Sequence, residues 1–376
     1  MSFSRKPGSA STAVGQLLIV GFDGTEMSPQ RAEMLTRVQP SGVILFARNI
    51  VNAQQTHRLL EDCRACVREP LFTCVDLEGG RVDRFRNVFG ATPSPAEVFR
   101  SGIAKLFRQH GWIIGQACRL LGFNVDFAPV LDLAFEASRS VMSSRSVSAT
   151  PKEVILYARE FLAGLRSRSV IGVGKHFPGL GEGNLDSHHD QPVIEKSFKK
   201  LWVEDLIPYC AMKRELPMVL VNHASYPAVT RDELPASLSK KWLTQILRRR
   251  IGYRGLIVSD DMEMGSVLKA APTDEAAVEF IRAGGDLCLI CHQREYVERA
   301  FEMLNRKCER DRVFAKRVTE SAKRVAAFKR AHAAELRRTP APAPEKIVNL
   351  SRRLWEFSEQ IRFEKLSAAA GAGVRR

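Results

Sequence analysis

Short, near-continuous apolar runs recur along the chain at 17–21, 42–46, 71–75, 124–127, 170–173, 218–221, 256–258 and 287–290. Apolar strands that do not alternate are buried on both faces, as in a parallel sheet covered by helical crossovers. Between the runs lie stretches with helical periodicity, among them 53–67, 151–166, 197–214, 240–249 and 275–283. Eight strand–helix units in about 300 residues predict an α/β chain folded as a TIM (β/α)8 barrel. A doubly wound sheet would use the same alternation, but the first turn lacks the glycine fingerprint of a dinucleotide site.

The barrel is predicted to occupy residues 1–338, with helix from 310 onwards. The segment TPAPAPEK at 339–346 cannot continue a helix and reads as a stiff spacer. Ile347, Leu350, Leu354, Phe357 and Ile361 follow at helical spacing. Residues 339–376 are therefore predicted to be the spacer and an amphipathic tail that docks on the barrel.

Charge is unevenly spread. The chain has 57 Lys/Arg against 42 Asp/Glu, a net +15, and residues 301–376 alone carry 19 against 9, a net +10. Such a tail either meets an anionic partner or is the solvated face of terminal helices. The charge is not interleaved with aromatics and no nucleic-acid module is evident, so no nucleic-acid partner is expected. No run reaches the about 18 apolar residues of a membrane span. The short N-terminal apolar run is broken by Asp23, a poor export signal, so the expected location is cytoplasmic. The eight cysteines are then expected to be reduced and mostly buried, which excludes a disulfide scaffold. A monomer is expected.

In a barrel the reactive groups lie at the C-terminal ends of the strands. The third run ends at Asp76 and continues as VDLEGGRVDRFR; the fifth ends at Lys175–His176; the sixth at Asn222–His223; the seventh at Ser259–Asp260–Asp261. After the fifth, glycines 174, 179, 181 and 183 with Pro178 make a long loop suited to unusual backbone angles and movement. In that loop Asp186 stands two residues before His188, close enough to orient an imidazole for acid/base work.

KHFPG at 175–179 followed by DSHH at 186–189, with VDLEGGRVDRFR upstream and GLIVSDDMEMG downstream, resembles the family 3 glycoside hydrolases. More narrowly, it is similar to their single-domain β-N-acetylhexosaminidases of peptidoglycan recycling. The resemblance runs from about residue 15 to about residue 327 and includes GVILFARNI, FAPVLDL and LPASLSKKWLTQILR. It implies that Asp260 is the catalytic nucleophile, His188 the general acid/base and Asp186 its partner. It also implies that Asp76, Arg84, Arg145, Lys175 and His176 bind the sugar of a small carbohydrate substrate, with no metal or cofactor. Two departures stand out: Leu180 and Glu182 replace the family's usual His and Asp, and VMSSRS surrounds Arg145 in place of the usual Ile-Gly pattern.

Several motifs lead elsewhere. Cys288-Leu-Ile-Cys291-His292 has the spacing of a haem attachment, but it falls on a predicted strand, where buried cysteines are the simpler reading. Cys63 and Cys66 lack the second pair of a zinc site, and Asp260, Asp261 and Glu263 lack an octahedral oxygen set. A two-domain β-glucosidase would lack the DSHH loop and carry a large second domain. A phosphorolytic N-acetylglucosaminidase shares the same residues, because a neutral His donor tolerates phosphate nearby.

Overall fold

The computed structural model describes residues 13–182 and 191–373. Asp186 and His188 lie outside the described residues. Eight parallel strands close into a barrel in sequence order: β1 (Leu18–Val20), β2 (Gly42–Leu45), β3 (Phe72–Val75), β4 (Val125–Asp126), β5 (Ile171–Phe177), β6 (Met218–Val221), β7 (Leu256–Asp261) and β8 (Leu287–Ile290), with β8 pairing back onto β1.

The helices alternate with them. They include α1 (Pro29–Val38), α2 (Ala53–Cys66), α3 (Ala104–Leu121), α4 (Pro151–Ser167), α5 (Phe198–Val203), α6 (Ile207–Met212), α7 (Lys241–Ile251), α8 (Thr273–Ala283), α9 (Arg294–Arg310), α10 (Arg312–Ala331) and α11 (Pro344–Gly373). The TIM barrel predicted from the apolar runs is the fold observed.

The side-chain period of the strands divides the core in two. Ile19, Ile44, Phe72, Val125, Ile171, Met218, Leu256 and Leu287 fill the barrel interior. Leu18, Val20, Val43, Val75 and Val219 face the helix ring. Burial on both sides is why the strands read as unbroken apolar runs. On the ring, Gly111 of α3 and Gly164 of α4 bring the two backbones together. A Cβ on Gly111 would lie 2.0 Å from the Phe161 carbonyl oxygen, and one on Gly164 would lie 2.3 Å from that of Arg108.

Local details differ from the pattern-based reading. The single helix expected over 197–214 is two, α5 and α6, broken at Glu204, where φ is −126° and ψ is −91°. The break lets Asp205 turn inward onto Lys196 (2.7 Å), a buried pair that outweighs helix continuity, and Pro208 suits the first turn of α6. The helix expected at 240–249 forms as the π-helix α7. Helix expected up to 338 stops at Ala331, and turns follow. Cys63, Cys74, Cys118, Cys288 and Cys291 are free and buried; of the haem-like spacing, Cys288 lies in β8, and Cys291 and His292 follow its end.

The tail helix α11 lies against the barrel through Leu350, Leu354, Phe357 and Ile361, all within the main core cluster. Phe357 stacks on His110 of α3 at 5.9 Å between ring centroids. Leu354→Ala is expected to lower stability by about 2–4 kcal/mol, the usual cost of an unfilled leucine site, as a lower thermal midpoint in calorimetry. An unchanged midpoint would mean that the tail contributes nothing to the folded unit.

Candidate active site

At the C-terminal ends of the strands a pocket of about 270 Å3 is lined by Asp76, Arg84, Arg145, Lys175, His176 and Asp260, together with Phe46, Leu180, Pro192, Asp261 and His292. Six of the eight site residues read from the sequence are therefore brought together here. Of the other two, Asp186 and His188, only the surroundings are described: Leu180 before them and Pro192 after them both line the pocket.

The pocket is built around a carboxylate that the sequence reading did not single out. Glu78, one residue past Leu77 in the β3–helix loop, is buried beneath it. Its Oε1 accepts from Lys175 Nζ and from Arg145 Nη2, each at 2.6 Å, and its Oε2 accepts from Arg145 Nε at 2.8 Å. Burial alone would raise the Glu78 pKa. The Arg145 and Lys175 charges, with the Arg145 hydrogen bond, outweigh it and hold the group below the usual carboxylate range. Lys175 responds in the opposite sense: burial opposes its charge, and Asp76 and Glu78 raise its pKa despite it. Lys175 also donates to Asp76, and Arg84 Nη2 lies 3.6 Å from the other Asp76 oxygen. The result is a fixed alternation of cation and carboxylate across the pocket floor.

Lys175 and His176 are consecutive in β5, yet both line the pocket. The register of β5 against β6 shifts between Gly174 and Phe177, an irregularity of the kind that re-aims side chains. His176 Nε2 lies 3.1 Å from Arg145 Nη2, which can only donate, so Nε2 accepts and the ring proton resides on Nδ1. From there it donates to Asp132 Oδ2 at 2.6 Å. The other Asp132 oxygen accepts from the Leu180 N–H at 2.7 Å, tying the start of the β5 loop to the same carboxylate. Glu182 meets Lys200 at 3.1 Å and Lys196 at 3.4 Å. The two unusual loop residues thus anchor the described edge of the loop.

Asp260 sits near the end of β7, its Oδ1 accepting from the Asp261 N–H at 2.9 Å. Burial would raise its pKa, but His223, His176, that N–H and Lys175 together lower it, so the group is a carboxylate at neutral pH. Asp261 is differently employed. Its Oδ1 accepts from the N–H groups of Glu263 (3.1 Å) and Cys291 (3.2 Å), and its Oδ2 lies 3.1 Å from His292 Nε2. That hydrogen bond is the main reason the His292 pKa is raised.

The end of β6, read from the sequence as polar pocket material, lies beneath the pocket and not on its wall. Asn222 donates to the His176 carbonyl at 3.0 Å. His223 Nε2 donates to the Asp261 carbonyl at 3.0 Å, its Nδ1 accepts from the Ser237 hydroxyl at 2.7 Å, and burial lowers its pKa. Asp126 at the end of β4 is fully buried and, among the described residues, accepts only from the Leu77 N–H at 3.0 Å. Burial pushes its pKa well above the usual carboxylate value. Signals for the missed groups were present: Glu78 lies within VDLEGGR, Asp126 and Asp132 bracket FAPVL, and His292 closes the CxxCH spacing. What each touches was not legible.

A concave, charge-lined pocket over a barrel, with the ionised Asp260 beside ion-paired carboxylates and fixed donors, defines a class of site that holds a hydroxyl-rich substrate and acts on it by polar chemistry. The comparisons with known proteins are specific. The model of the glycosyl hydrolase family 3 N-terminal domain matches residues 10–328. A β-hexosaminidase of Bordetella avium is 36% identical over 314 residues, covering 81% of this chain and 88% of its own length. One from Pseudomonas aeruginosa is 34% identical over 293 residues, covering 77% and 86%. Among solved structures, a family 3 β-N-acetylglucosaminidase from Paenibacillus sp. superimposes with a TM-score of 0.86 at 31% identity, covering 94% of this chain and 69% of that one. The chain belongs to glycosyl hydrolase family 3.

Proposed function

We propose that the protein is a retaining β-N-acetylhexosaminidase that removes terminal β-linked N-acetylglucosamine. The observation that carries this reading is the half-buried, ionised Asp260 sharing one small pocket with the Lys175–Asp76–Arg84 array. A pocket of about 270 Å3 lies near the lower end of the roughly 300–1,000 Å3 of ligand sites. That suits a single sugar ring with its aglycone leaving through the mouth.

In this mechanism Asp260 attacks the anomeric carbon, forming a glycosyl-enzyme as the C1–O bond to the aglycone breaks. His188, oriented by Asp186, protonates the departing oxygen and then takes a proton from the water that releases the sugar. The approach of both flanks of the 183–190 segment to the pocket supports this role for His188. Asp76 accepts from sugar hydroxyls, while Arg84, Arg145 and Lys175 donate charged hydrogen bonds to them or hold their neighbours in place. The natural substrate in this reading is a peptidoglycan fragment, N-acetylglucosaminyl-1,6-anhydro-N-acetylmuramic acid and its peptides, met in the cytoplasm during wall recycling.

The test compares chromogenic β-glycosides that differ only at C2, acetamido against hydroxyl, in phosphate-free buffer and in millimolar phosphate. Preference for the acetamido sugar, with free sugar released in both buffers, is the expected result. Accumulation of sugar 1-phosphate, with turnover collapsing when phosphate is withheld, would replace hydrolysis by phosphorolysis and leave the residue roles standing.

His188→Ala is expected to slow poor leaving groups by ~10²–10⁴-fold while sparing activated aryl leaving groups in the first step. Asp186→Ala should show a weaker form of the same pattern. Equal losses for both leaving-group classes, measured as kcat/KM, would remove His188 from the acid role.

A further inference from the structure

The positive charge concentrated in residues 301–376 takes no part in the pocket just described. At the opposite end of the barrel, five of its cations, Lys323, Lys329, Arg330, Arg337 and Arg338, border a cleft of about 970 Å3. Gln16 and Leu71, which precede β1 and β3, form part of its floor, and α10 with the turn after it forms a wall.

Lys329 reaches the floor of this cleft and is only 5% exposed. Its ammonium donates to Gln16 Oε1 at 2.9 Å and lies 5.0 Å from the Phe72 ring centroid. Among the described residues no carboxylate forms an ion pair with it. Burial accordingly pulls its pKa down to about 7, opposed first by the charge of Glu69. The wall is little compensated. Arg64 and Arg338 both pair with Glu61, whereas Arg68, Lys323, Arg330 and Arg337 have no ion-pair partner among the described residues. Glu69 is the one carboxylate among the lining residues described.

Concave, low-dielectric walls carrying one sign of charge concentrate the opposite ion. The Gln16 bond uses one of the three donors of Lys329, and the arginines offer planar forks that match phosphate oxygens. Several unpaired cations around one buried amine favour a multiply charged anion over a single carboxylate. The remaining wall is aliphatic, with Val67, Leu71, Ala322, Ala326 and Leu336, and among the described residues no aromatic side chain lines the cleft to stack a nucleobase.

We propose that this basal cleft binds a small organic phosphate, its phosphate on Lys329 and the neighbouring arginines and its organic body on the aliphatic wall. The site lies at the other end of the barrel from Asp260 and is independent of the glycosidase reading.

The full chain is titrated by isothermal calorimetry and thermal shift with glucose 6-phosphate as the probe, and with glucose and sodium sulfate at matched ionic strength as controls. One-site, saturable binding of glucose 6-phosphate alone is expected, with a rise in the thermal midpoint. Lys329→Met, which keeps the buried stem and removes the charge, should weaken binding by about tenfold or more. Should that variant fail to fold, Lys323→Gln/Arg330→Gln on the wall is expected to weaken it in the same direction. Binding that persists unchanged in a folded variant would place the phosphate elsewhere and overturn the proposal. So would the absence of saturable binding, or tight, salt-sensitive binding of a DNA oligonucleotide that these variants leave intact.

Discussion

Asp260→Ala is expected to reduce turnover of β-N-acetylglucosaminides by ~10⁴-fold or more without loss of the fold. Among the described residues the side chain takes one hydrogen bond, from the Asp261 N–H, and it stands half-buried on the pocket wall. Its removal therefore leaves the packing of the barrel untouched while deleting the group that forms the covalent intermediate. Among the described residues no neighbouring carboxylate is free to stand in. Asp261 is held by two backbone N–H groups and by His292, and Asp76 is engaged by Lys175 and Arg84. Steady-state kinetics beside a melting curve decide the matter. If Asp261→Ala is inactive and Asp260→Ala turns over normally, the nucleophile is the next residue along.

Glu78→Ala is expected to damage stability and binding together, at a cost of about 3–5 kcal/mol. The loss comes less from the missing attraction than from what remains: Lys175, 2% exposed, and the largely buried Arg145 would share no carboxylate between them. Glu78→Gln keeps the volume and some hydrogen bonds and should recover part of the loss. The pH dependence has a definite sign. The folded-state pKa of Glu78 is depressed, so its contribution to stability is present above the unfolded value of ~4.3 and lost as pH falls below it toward the folded value. Acid unfolding followed by circular dichroism should accordingly begin at higher pH in the wild type than a chain lacking depressed carboxylates would show. The acid limb should flatten in Glu78→Gln. An unchanged acid limb in that variant would show that Glu78 does not carry the linkage.

The fold was legible because its main constraint is one-dimensional. Strands buried on both faces must be apolar throughout, so all eight appear as runs in the sequence, and short crossovers leave a closed ring as the natural way to pair them. Pattern failed where a single buried interaction overrode it. The Lys196–Asp205 pair splits a helix that periodicity would continue, and β5 and β7 extend past the last residue their apolar runs marked. Polar residues in those extensions look like loop in a sequence, yet they are strand, since the backbone ladder does not depend on which side chains point into the pocket.

For the site, the sequence by itself determined the cast: Asp76, Lys175, His176 and Asp260 stand at strand ends, which meet in any such barrel, and the family resemblance added Arg84 and Arg145 from the loops beyond β3 and β4. Only the tertiary structure decided which charges are shared. It placed Glu78 between Lys175 and Arg145, put the His176 proton on the side of Asp132, and moved Asn222 and His223 from the pocket wall to its support. It also gathered cations from α10 and the turn after it into a cleft with Arg64 and Arg68, far away in the chain. The physical reason is one of range. Burial and the order of the strands follow from local pattern, whereas the partner of a buried charge is set at about 3 Å between residues that can stand a hundred positions apart, and no local pattern encodes that distance.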